Sequence, residues 1–408
     1  MRDQAIDVAI IGGGMITNDL ILPSVFHLQR LGVVGEITVC ALNSGPLKAL
    51  RENAELNAAF PGQGFLSQPA LNTPPDKMFP DLFKDVLAKL RPRQAVIVAV
   101  PDWFHYPIIV EALRRDQHVL SVKPLVLEYK QDLEIEKLAL ERGLFVGVEY
   151  HKRFDRRALL AKRLYAEGKF GKFIMGEAKL HEPYYYRHSN FQNWFTCDKT
   201  DPFTYVGCHY VDLVYFITGL KPVSVSLDGV KGKFPNGNTG YLWSSGRVRY
   251  ENGALLTVTD GLGYPDDAAG TNDQGLIMYC EGADRTGMIN HDDHERGARY
   301  AFLEPNGAAR YRYVSPDFFR LVPWEGAGSK PVGYGYDSIA ANLQMMQRVE
   351  AAADRQALLR EIDTAGIIAT PCNSFINELV VEAARESIVN DGALVKIVYG
   401  DHPHVERA

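Results

Sequence analysis

The sequence predicts an α/β protein with an N-terminal doubly wound parallel sheet and a C-terminal α+β domain built on a large, open, mostly antiparallel sheet. Up to about residue 150, short continuous apolar runs alternate with helical patterns. That rhythm is typical of parallel strands covered by helices on both faces. From Pro222 to about Tyr313, strand candidates follow one another with glycine, asparagine and aspartate turns between them, which favours antiparallel pairing.

The first region contains five strand candidates, with the helical pattern after the first beginning near Ile16. The strand candidates are "DVAIIG", "EITVCAL", "QAVIVAV", "HVLSV" and "LFVGVEY". We place the domain boundary near residue 150, which gives domains 1–150 and 151–408. The last helical patterns, which start at Ser338 and Ser374, are candidates for packing back on the first domain.

The second region begins with a helix, "RALLAKRLYAEGKFG", a strand, "KFIMGEAKL", and a helix, "CHYVDLVYFITG", that ends at Gly219. The strand candidates that follow are "VSVSLDGV", "YLWSSGRVRY", "GALLTVTDG", "QGLIMYCEG", "TGMINH", "RYAFLE" and "ARYRYV". Few helices separate them, so we expect one sheet.

Composition excludes several classes of partner. The net charge of -6 gives no electrostatic reason to expect nucleic acid or a membrane surface. Five cysteines without a C-x-x-C pair favour a reducing compartment. No apolar run reaches the roughly 20 residues of a membrane span, and the N-terminus shows no signal-peptide pattern. We therefore expect a cytoplasmic protein.

A glycine loop follows the first strand in "VAIIGGGMIT". Glycines there permit a tight turn and let backbone N–H groups approach a pyrophosphate at a helix N-terminus. The loop predicts a dinucleotide site formed by Gly12, Gly13, Gly14, Met15 and Ile16, and the alternative is a purely structural turn. Thr17 stands where the third glycine of G-x-G-x-x-G is usual.

The end of the second strand bears on the choice between NAD and NADP. The acidic residue that often binds the ribose there is missing, and no arginine replaces it. Asn43 and Ser44 can hydrogen-bond either cofactor. The sequence favours NAD over NADP by a small margin.

Three segments together resemble the Gfo/Idh/MocA oxidoreductases: "AVIVAVPDWFHYPIIVEALRRDQHVLSVKPL", "GVEYHKRFD" and "VGCHYVDLVYFITGL". The resemblance runs from the N-terminus to about Leu220. It implies a Rossmann domain, a second domain whose open sheet forms a homodimer or homotetramer, and NAD or NADP as cofactor. The implied reaction is hydride transfer between the nicotinamide and a secondary hydroxyl or ketone of a sugar, cyclitol or glycoside.

The resemblance also implies roles for residues of the first domain. Lys123 matches the family lysine that contacts the cofactor and the reacting oxygen, and an ammonium there can stabilise developing alkoxide charge. The glutamate expected before it is Val122 in this chain. Pro101 and His105 lie in a loop that passes near the nicotinamide in the family, although His105 equally suits a helix start.

In the second domain, His209 matches the family histidine that acts as general acid or base on the hydroxyl. Many members carry an aspartate four residues earlier, where this chain has Tyr205. Either Lys123 and His209 suffice, or Tyr205 joins the proton relay, or the chemistry is altered. A buried structural histidine is the alternative interpretation for His209.

Residues that suit a carbohydrate cluster in "HEPYYYRHSNFQNWF". Aromatic rings stack on sugar faces, and polar side chains hydrogen-bond hydroxyl groups. The substrate-contact candidates are Tyr150, Tyr185, Arg187, Trp194 and Asp212. The alternatives are an amphipathic surface with Trp194 in the core, and a structural anchor at Asp212.

The segment "INHDDHERG" gathers His291, Asp292, Asp293 and His294. Neighbouring residues on an extended segment point to opposite faces, so we predict a solvated turn and no metal site.

Two other functions stay open. One is an NAD-retaining glycosidase or lyase-like enzyme that uses transient oxidation, suggested by the carboxylates missing at Val122 and Tyr205. The other is a non-catalytic nucleotide-binding member.

Overall fold

The computed structural model describes residues 5–268, 272–292 and 317–408. The chain forms two compact units. The first comprises Met1–Val126, Lys130–Phe154 and Phe318–Asn373, and the second comprises Leu127–Tyr129, Asp155–Asp317 and Ser374–Ala408. The predicted strands "RYAFLE" and "ARYRYV" lie outside the described residues. Within the described ranges, no helix is both long and apolar enough to cross a membrane.

The strands of the described residues are β1 (Ile6–Ile11), β2 (Val34–Cys40), β3 (Leu66–Gln68), β4 (Ala95–Val98), β5 (His118–Val122), β6 (Val146–Glu149), β7 (Lys172–Pro183), β8 (Pro222–Lys233), β9 (Thr239–Tyr250), β10 (Leu255–Tyr264), β11 (Asp273–Glu281), β12 (Thr286–Asp292), β13 (Arg320–Pro323), β14 (Ser329–Val332), β15 (Val395–Val398) and β16 (His404–Arg407).

The α-helices are α1 (Leu22–Arg30), α2 (Ser44–Glu52), α3 (Ala54–Ala59), α4 (Leu82–Lys89), α5 (His105–Arg114), α6 (Tyr129–Arg142), α7 (Arg156–Ala166), α8 (Phe191–Trp194), α9 (Cys208–Thr218), α10 (Tyr334–Ala351), α11 (Arg355–Ala365), α12 (Pro371–Ser374) and α13 (Ile376–Val389). Thr17–Ile21 and Phe203–Gly207 are π-helical turns that precede α1 and α9. Short 3₁₀ turns span Asp102–Phe104, His151–Phe154 and Tyr184–His188.

The first unit is built on a six-stranded sheet in the order β3-β2-β1-β4-β5-β6. All its strand pairs are parallel, which confirms the doubly wound prediction. The strands β4 and β6 are buried along their whole length, because helices cover both faces of such a sheet. The edge strand β3 was not among the predicted strands, since its three residues carry no apolar run.

The core of the first unit includes residues from α10 and α11, such as Ile339, Leu343 and Ile362. The sequence pattern from Ser338 to Ile362 reads as one long helix, but the structure divides it between α10 and α11. Asp354 accounts for the division, because it is extended and its side chain accepts a hydrogen bond from the N–H of Ala357 at 2.9 Å.

The second unit is built on an eight-stranded sheet in the order β12-β11-β7-β10-β9-β8-β15-β16. Among the described strands, β7 and β10 pair in parallel and the other pairs are antiparallel. The prediction of a mostly antiparallel sheet is therefore confirmed. Buried and exposed residues alternate along the middle of β7, as expected where one face packs on a core and the other is open.

Candidate active-site residues and family

In the first unit, all six described strands of the parallel sheet end at one edge. Ligands of open α/β sheets bind outside the carboxyl ends of the strands. The loops that follow β1, β2, β4 and β5 contain the residues that the sequence assigns to the cofactor, and the loop after β6 contains the substrate-contact candidate Tyr150. These loops therefore form the candidate nucleotide edge of this unit.

The glycine loop has the geometry of a close backbone approach. Gly12 has φ of 121°, and a Cβ atom there would lie 1.9 Å from the carbonyl oxygen of Ala99, so only glycine fits. Gly13 packs against Ala41 and Pro46, whereas a Cβ at Gly14 would meet nothing within 4 Å. Gly14 is exposed, and helical backbone begins directly after it, at Met15 and Ile16. The loop thus presents backbone N–H groups at a helix start.

Thr17 explains why the chain needs no third glycine. Its side chain is fully buried, and its hydroxyl donates a hydrogen bond to the carbonyl oxygen of Gly12 at 2.7 Å. The Thr17 hydroxyl therefore stabilises the glycine turn from its buried side. The Gly12 N–H in turn donates to the carbonyl oxygen of Cys40 at 2.8 Å.

Asn43 and Ser44 differ in their availability to a ligand. The Asn43 side chain is partly exposed and caps α2 by accepting a hydrogen bond from the Gly45 N–H at 2.9 Å. Ser44 is fully buried, and its hydroxyl donates to the carbonyl oxygen of Thr73 at 2.7 Å. Asn43 is therefore the better placed of the two to meet a ribose.

His105 joins two of the loops at this edge. Its ring is fully buried. Nδ1 lies 2.9 Å from the carbonyl oxygen of Pro124, and Nε2 lies 2.9 Å from the carbonyl oxygen of Val100. The loop that contains Pro101 and the loop that contains Lys123 are thus tied through one imidazole. Lys123 itself is partly exposed, directly after β5, and the peptide bond from it to Pro124 is cis.

Tyr150 follows β6 at the same edge but is only 1% exposed. Its ring lies under the guanidinium of Arg153, which is 6.0 Å from the ring centroid. Arg153 is also buried, and its Nη1 donates a hydrogen bond to Asn373 Oδ1 at 3.0 Å. The structure thus places Tyr150 in the interior of this unit, where it supports the loop.

In the second unit, Tyr205 and His209 stand on consecutive turns of one helical stretch. Tyr205 lies in the π-helical turn, and His209 is the second residue of α9 and is buried. Asp201 holds the start of the stretch: its Oδ1 accepts from the Thr204 N–H at 2.9 Å, and its Oδ2 accepts from Arg385 Nη1 at 3.0 Å. The carboxylate of Asp201 is fully buried, so this ion pair fixes the turn firmly.

Tyr205 is the centre of an aromatic cluster. Its ring centroid lies 5.2 Å from that of Phe191, 5.7 Å from that of Phe195 and 6.0 Å from that of Trp194. Trp194 is partly exposed. The structure thus brings together two of the residues that the sequence singled out, Tyr205 and Trp194.

Asp212 is an anchor within the second unit. It is 1% exposed, and its Oδ1 accepts a hydrogen bond from Asn377 Nδ2 of α13 at 2.8 Å. Burial raises the pKa of Tyr250, and the nearby Tyr399 and Asp212 raise it further. These contacts match the alternative interpretation of Asp212, a structural role.

Tyr185 and Arg187 lie in the 3₁₀ turn that follows β7. Tyr185 is 49% exposed, and its N–H donates to Asp266 Oδ1 at 2.9 Å. The Arg187 guanidinium lies 5.1 Å from the ring centroid of Tyr184 and 5.8 Å from that of Trp243. Burial lowers the pKa of Arg187. Arg187 thus combines a positive charge with flanking aromatic rings.

Trp243 was missed by the sequence analysis. Its ring covers two glycines of the neighbouring strand, since a Cβ at Gly261 would lie 2.1 Å from the ring and one at Gly263 would lie 2.2 Å from it. His181 meets the ring edge-on at a centroid distance of 5.5 Å. The spacing of "DGLGY" in β10 is a signal that a large side chain crosses that strand.

The sequence analysis also missed the pair formed by Glu149 and His151, at the carboxyl end of β6. Glu149 is 3% exposed, and its Oε2 lies 2.8 Å from His151 Nδ1. The signal was available, because Glu149 interrupts the apolar run "LFVGVEY" just as Lys123 interrupts "HVLSVKPL".

The segment of the proposed solvated turn ends β12. His291 is buried there and lies against Asp155, so the prediction of a solvated turn was wrong for this residue. Asp293 and His294 lie outside the described residues. In the part of the chain that the structure describes, no three His, Cys, Asp or Glu side chains are grouped to hold a metal ion.

Several relatives with assigned activities match parts of the chain. The inositol 2-dehydrogenase of Corynebacterium glutamicum strain R is 26% identical over 240 residues, which are 56% of this chain and 66% of that protein. The 2,7-anhydro-N-acetylneuraminate hydratase of Mediterraneibacter gnavus is 25% identical over 155 residues, 36% of this chain and 38% of that protein. The chain spans only 27% and 23% of the length of two uncharacterized oxidoreductases of Schizosaccharomyces pombe that it also matches.

Among solved structures, the scyllo-inositol dehydrogenase of Lactobacillus casei with bound NAD(H) and scyllo-inositol superposes with a TM-score of 0.64. The match covers 96% of this chain and 99% of that one at 15% identity. At such low identity the match shows a shared fold.

Two family models match the chain. The model of the oxidoreductase family with an NAD-binding Rossmann fold matches residues 6–150, and the model of the GFO/IDH/MocA C-terminal domain matches residues 158–282. Together they cover more than half of the sequence, in the order expected from the two units. The chain therefore belongs to the Gfo/Idh/MocA family of NAD-binding oxidoreductases.

Proposed function

We propose that the chain is an NAD(P)-dependent dehydrogenase that moves hydride between a nicotinamide and a secondary hydroxyl or ketone of a sugar, cyclitol or glycoside. The observation that carries this is the position of Lys123, directly after β5 at the carboxyl edge of a parallel sheet whose first strand leads into Gly12. The inositol dehydrogenases among its relatives support a polyhydroxylated substrate.

The glycine loop fits a dinucleotide. Gly13, Gly14 and Met15 would hold the pyrophosphate through backbone N–H groups, because Gly14 is exposed and a Cβ there would meet no described atom within 4 Å. Asn43 would meet the adenosine ribose. We favour NAD over NADP, since the loop after β2 brings no arginine to neutralise a 2′-phosphate. The nicotinamide, when bound, supplies or accepts the hydride at its C4 position.

Lys123 and His209 share the proton chemistry in this proposal. The Lys123 ammonium donates a hydrogen bond to the reacting oxygen and stabilises its negative charge as hydride leaves the carbon. His209 takes up the hydroxyl proton, or returns it in the reverse direction. Tyr205, one turn earlier on the helical stretch, relays that proton through its phenol in place of a carboxylate.

Substrate contacts come from the segment after β7. Tyr185 is exposed and Trp194 is partly exposed. The Arg187 guanidinium offers the N–H donors that remain after its Nε donates to the carbonyl oxygen of Leu262. Aromatic rings and a guanidinium suit the faces and hydroxyl groups of a carbohydrate. In this proposal Asp212 supports the helical stretch of His209, and Tyr150 supports the loop after β6, because each is buried in its own unit.

We also propose a homodimer or homotetramer that forms through the open face of the eight-stranded sheet. Met175, Tyr279 and Met288 are cross-strand neighbours in one row of that face. Their side chains are 46%, 47% and 54% exposed. A contiguous apolar row on a sheet face suits a self-complementary contact between two copies.

The proposal is tested by supplying NAD or NADP with inositols, aldoses and glycosides and following the nicotinamide absorbance. Replacing Lys123 by Met removes the ammonium, so we expect turnover to fall by about a thousandfold, while NAD affinity stays within about twofold. Lys89→Met is the matched control, because Lys89 is an exposed lysine of the same unit. A Lys123→Met variant with wild-type turnover would contradict the assigned role.

A second candidate is a redox-neutral enzyme that retains NAD and oxidises its substrate only transiently. The similarity to a hydratase favours it, as does the absence of a carboxylate at Val122 and Tyr205. Such an enzyme would purify with NAD bound and convert its substrate without net NADH. Purified protein that contains no nicotinamide would rule this candidate out.

A further inference from the structure

A buried carboxylate stands beside the strand that leads to Lys123. Glu149 is the last residue of β6, and its register partner on β5 is Val122. Neighbouring strands are about 4.8 Å apart, and register partners in a sheet point to the same face. Glu149 therefore places a carboxylate on the sheet face of Val122, one residue from Lys123, at the nucleotide edge of the first unit.

One oxygen of this carboxylate is fixed by a histidine. Glu149 Oε2 lies 2.8 Å from His151 Nδ1, a hydrogen-bonding distance. The imidazole itself packs against two rings, with centroid distances of 4.9 Å to Phe318 and 5.6 Å to Tyr334. The orientation of the carboxylate is thus set by packing as well as by the hydrogen bond.

The other oxygen is left open. Among the described residues, Glu149 Oε1 is buried and has no hydrogen-bond partner. A buried carboxylate oxygen without a partner costs free energy, and such an atom calls for an explanation. At the carboxyl edge of a parallel sheet, the explanation that chemistry favours is a cationic or N–H donor that arrives during function.

We propose that Glu149 is a positioning residue for Lys123. In this assignment, which rests on the proposed function, Glu149 Oε1 accepts a hydrogen bond from the Lys123 ammonium when the site is loaded. His151 keeps the carboxylate in place. The neighbouring strand thereby supplies the carboxylate that the chain lacks at Val122. No covalent bond changes in this role. Glu149 orients the Lys123 ammonium and balances its positive charge.

The decisive experiment moves the carboxylate from one strand to the other. We expect Glu149→Gln to lower kcat by about tenfold or more, because a charge-assisted hydrogen bond is lost, with the KM for NAD unchanged within about twofold. The double variant V122E/E149Q returns a carboxylate to the same sheet face, so we expect it to regain most of the lost kcat. A purely structural Glu149 would not be rescued in this way.

The control is another carboxylate–histidine pair of the same unit. Glu350 Oε1 lies 3.0 Å from His118 Nε2, and His118 begins β5, at the opposite end from Lys123. Glu350→Gln should lower the unfolding temperature without changing kcat. The unfolding temperatures of all variants show whether each is folded.

A second readout does not depend on turnover. An amine that is hydrogen-bonded to a carboxylate reacts more slowly with acetic anhydride, so Lys123 of E149Q should be acetylated about threefold faster or more, as measured by mass spectrometry of the NAD-loaded protein. The assignment would be overturned if E149Q kept the wild-type kcat and the wild-type labelling rate. It would also be overturned if a folded V122E/E149Q protein failed to regain the kcat that E149Q loses. If the wild-type protein oxidises no polyol, the proposed function fails, and labelling of E149Q alone decides this inference.

Discussion

Asp155 and His291 form a buried pair in the second unit, with His291 Nε2 lying 3.2 Å from Asp155 Oδ2 and the side chains only 6% and 4% exposed. Asp155 also caps α7, since its Oδ1 accepts a hydrogen bond from the Arg157 N–H at 2.9 Å. His291 belongs to β12. The pair therefore connects a strand of the large sheet to the start of a helix that is distant in sequence.

This pair predicts a pH-dependent stability. Burial raises the pKa of Asp155, but the approach of His291 and the hydrogen bond from Arg157 outweigh it, and the pKa lies well below its usual range. A carboxyl group with a lowered folded pKa stabilises above its unfolded pKa and loses that stabilisation as the pH falls, progressively below about pH 5. We expect Asp155→Asn to lower the free energy of unfolding by about 3 kcal/mol at pH 7.

Urea unfolding of the wild type and Asp155→Asn at pH 7 and at low pH checks this prediction. The asparagine keeps the helix cap, so the difference reports the charge. The difference in the free energy of unfolding between the two proteins should become smaller at low pH. Asp284→Asn is the control, because Asp284 pairs with Arg285 on the surface and its side chain is 72% exposed. A difference that stays constant with pH would refute the role of the charge.

The glycine loop gives a prediction with two matched variants. Gly12→Ala places a Cβ 1.9 Å from the Ala99 oxygen at a φ of 121°, so we expect it to lower the free energy of unfolding by about 2 kcal/mol or more. Gly14→Ala has open space and should leave stability within about 0.5 kcal/mol. Its methyl group would still stand where the pyrophosphate approaches.

Isothermal titration of both variants with NAD completes this test. We expect Gly14→Ala to weaken NAD binding by about tenfold despite normal stability, since the backbone must approach the phosphates closely. Normal NAD affinity in a folded Gly14→Ala protein would show that the loop is only a structural turn, which is the alternative that the sequence leaves open.

The layered architecture could be predicted because periodicity determines it. The continuous apolar runs before residue 150 and the closely spaced strands after Pro222 both correspond to the observed sheets. Boundaries within helices were less predictable. Asn53, for example, divides the helical pattern "PLKALRENAEL" into α2 and α3, because its side chain accepts a hydrogen bond from the Leu56 N–H at 3.0 Å. A capping side chain of this kind leaves the apolar pattern unbroken.

The places of the candidate residues could be predicted where a strand end marks them, since Gly12 and Lys123 lie directly after β1 and β5. The register between neighbouring strands was not predictable. The pairing of Val122 with Glu149 joins segments 27 residues apart, and sequence alone does not set that alignment. Burial could not be predicted either, since no neighbouring residue in the sequence indicates that the side chains of Ser44 and Tyr150 are buried.

The open sheet face gives a prediction about assembly. Tyr279→Glu places a charge in the row of Met175 and Met288, so we expect the protein to become a monomer by size-exclusion chromatography with light scattering, because burying an unpaired carboxylate in a contact is costly. Leu160→Glu is the matched control, since Leu160 is 45% exposed on α7. A Tyr279→Glu protein with the wild-type mass would place the contact elsewhere.

Tyr205 gives the sharpest prediction for the chemistry, because its ring and its hydroxyl can be separated. Tyr205→Phe keeps the packing against Phe191, Trp194 and Phe195, so the unfolding temperature should not change. If the phenol relays the proton of His209, kcat should fall by about tenfold or more while KM holds, since a proton-transfer contribution is lost. Tyr205→Asp installs the carboxylate that many family members carry, and it should recover kcat relative to Tyr205→Phe if His209 is the general base. Equal kcat in wild type and Tyr205→Phe would remove the phenol from the relay and leave Lys123 and His209 to act alone.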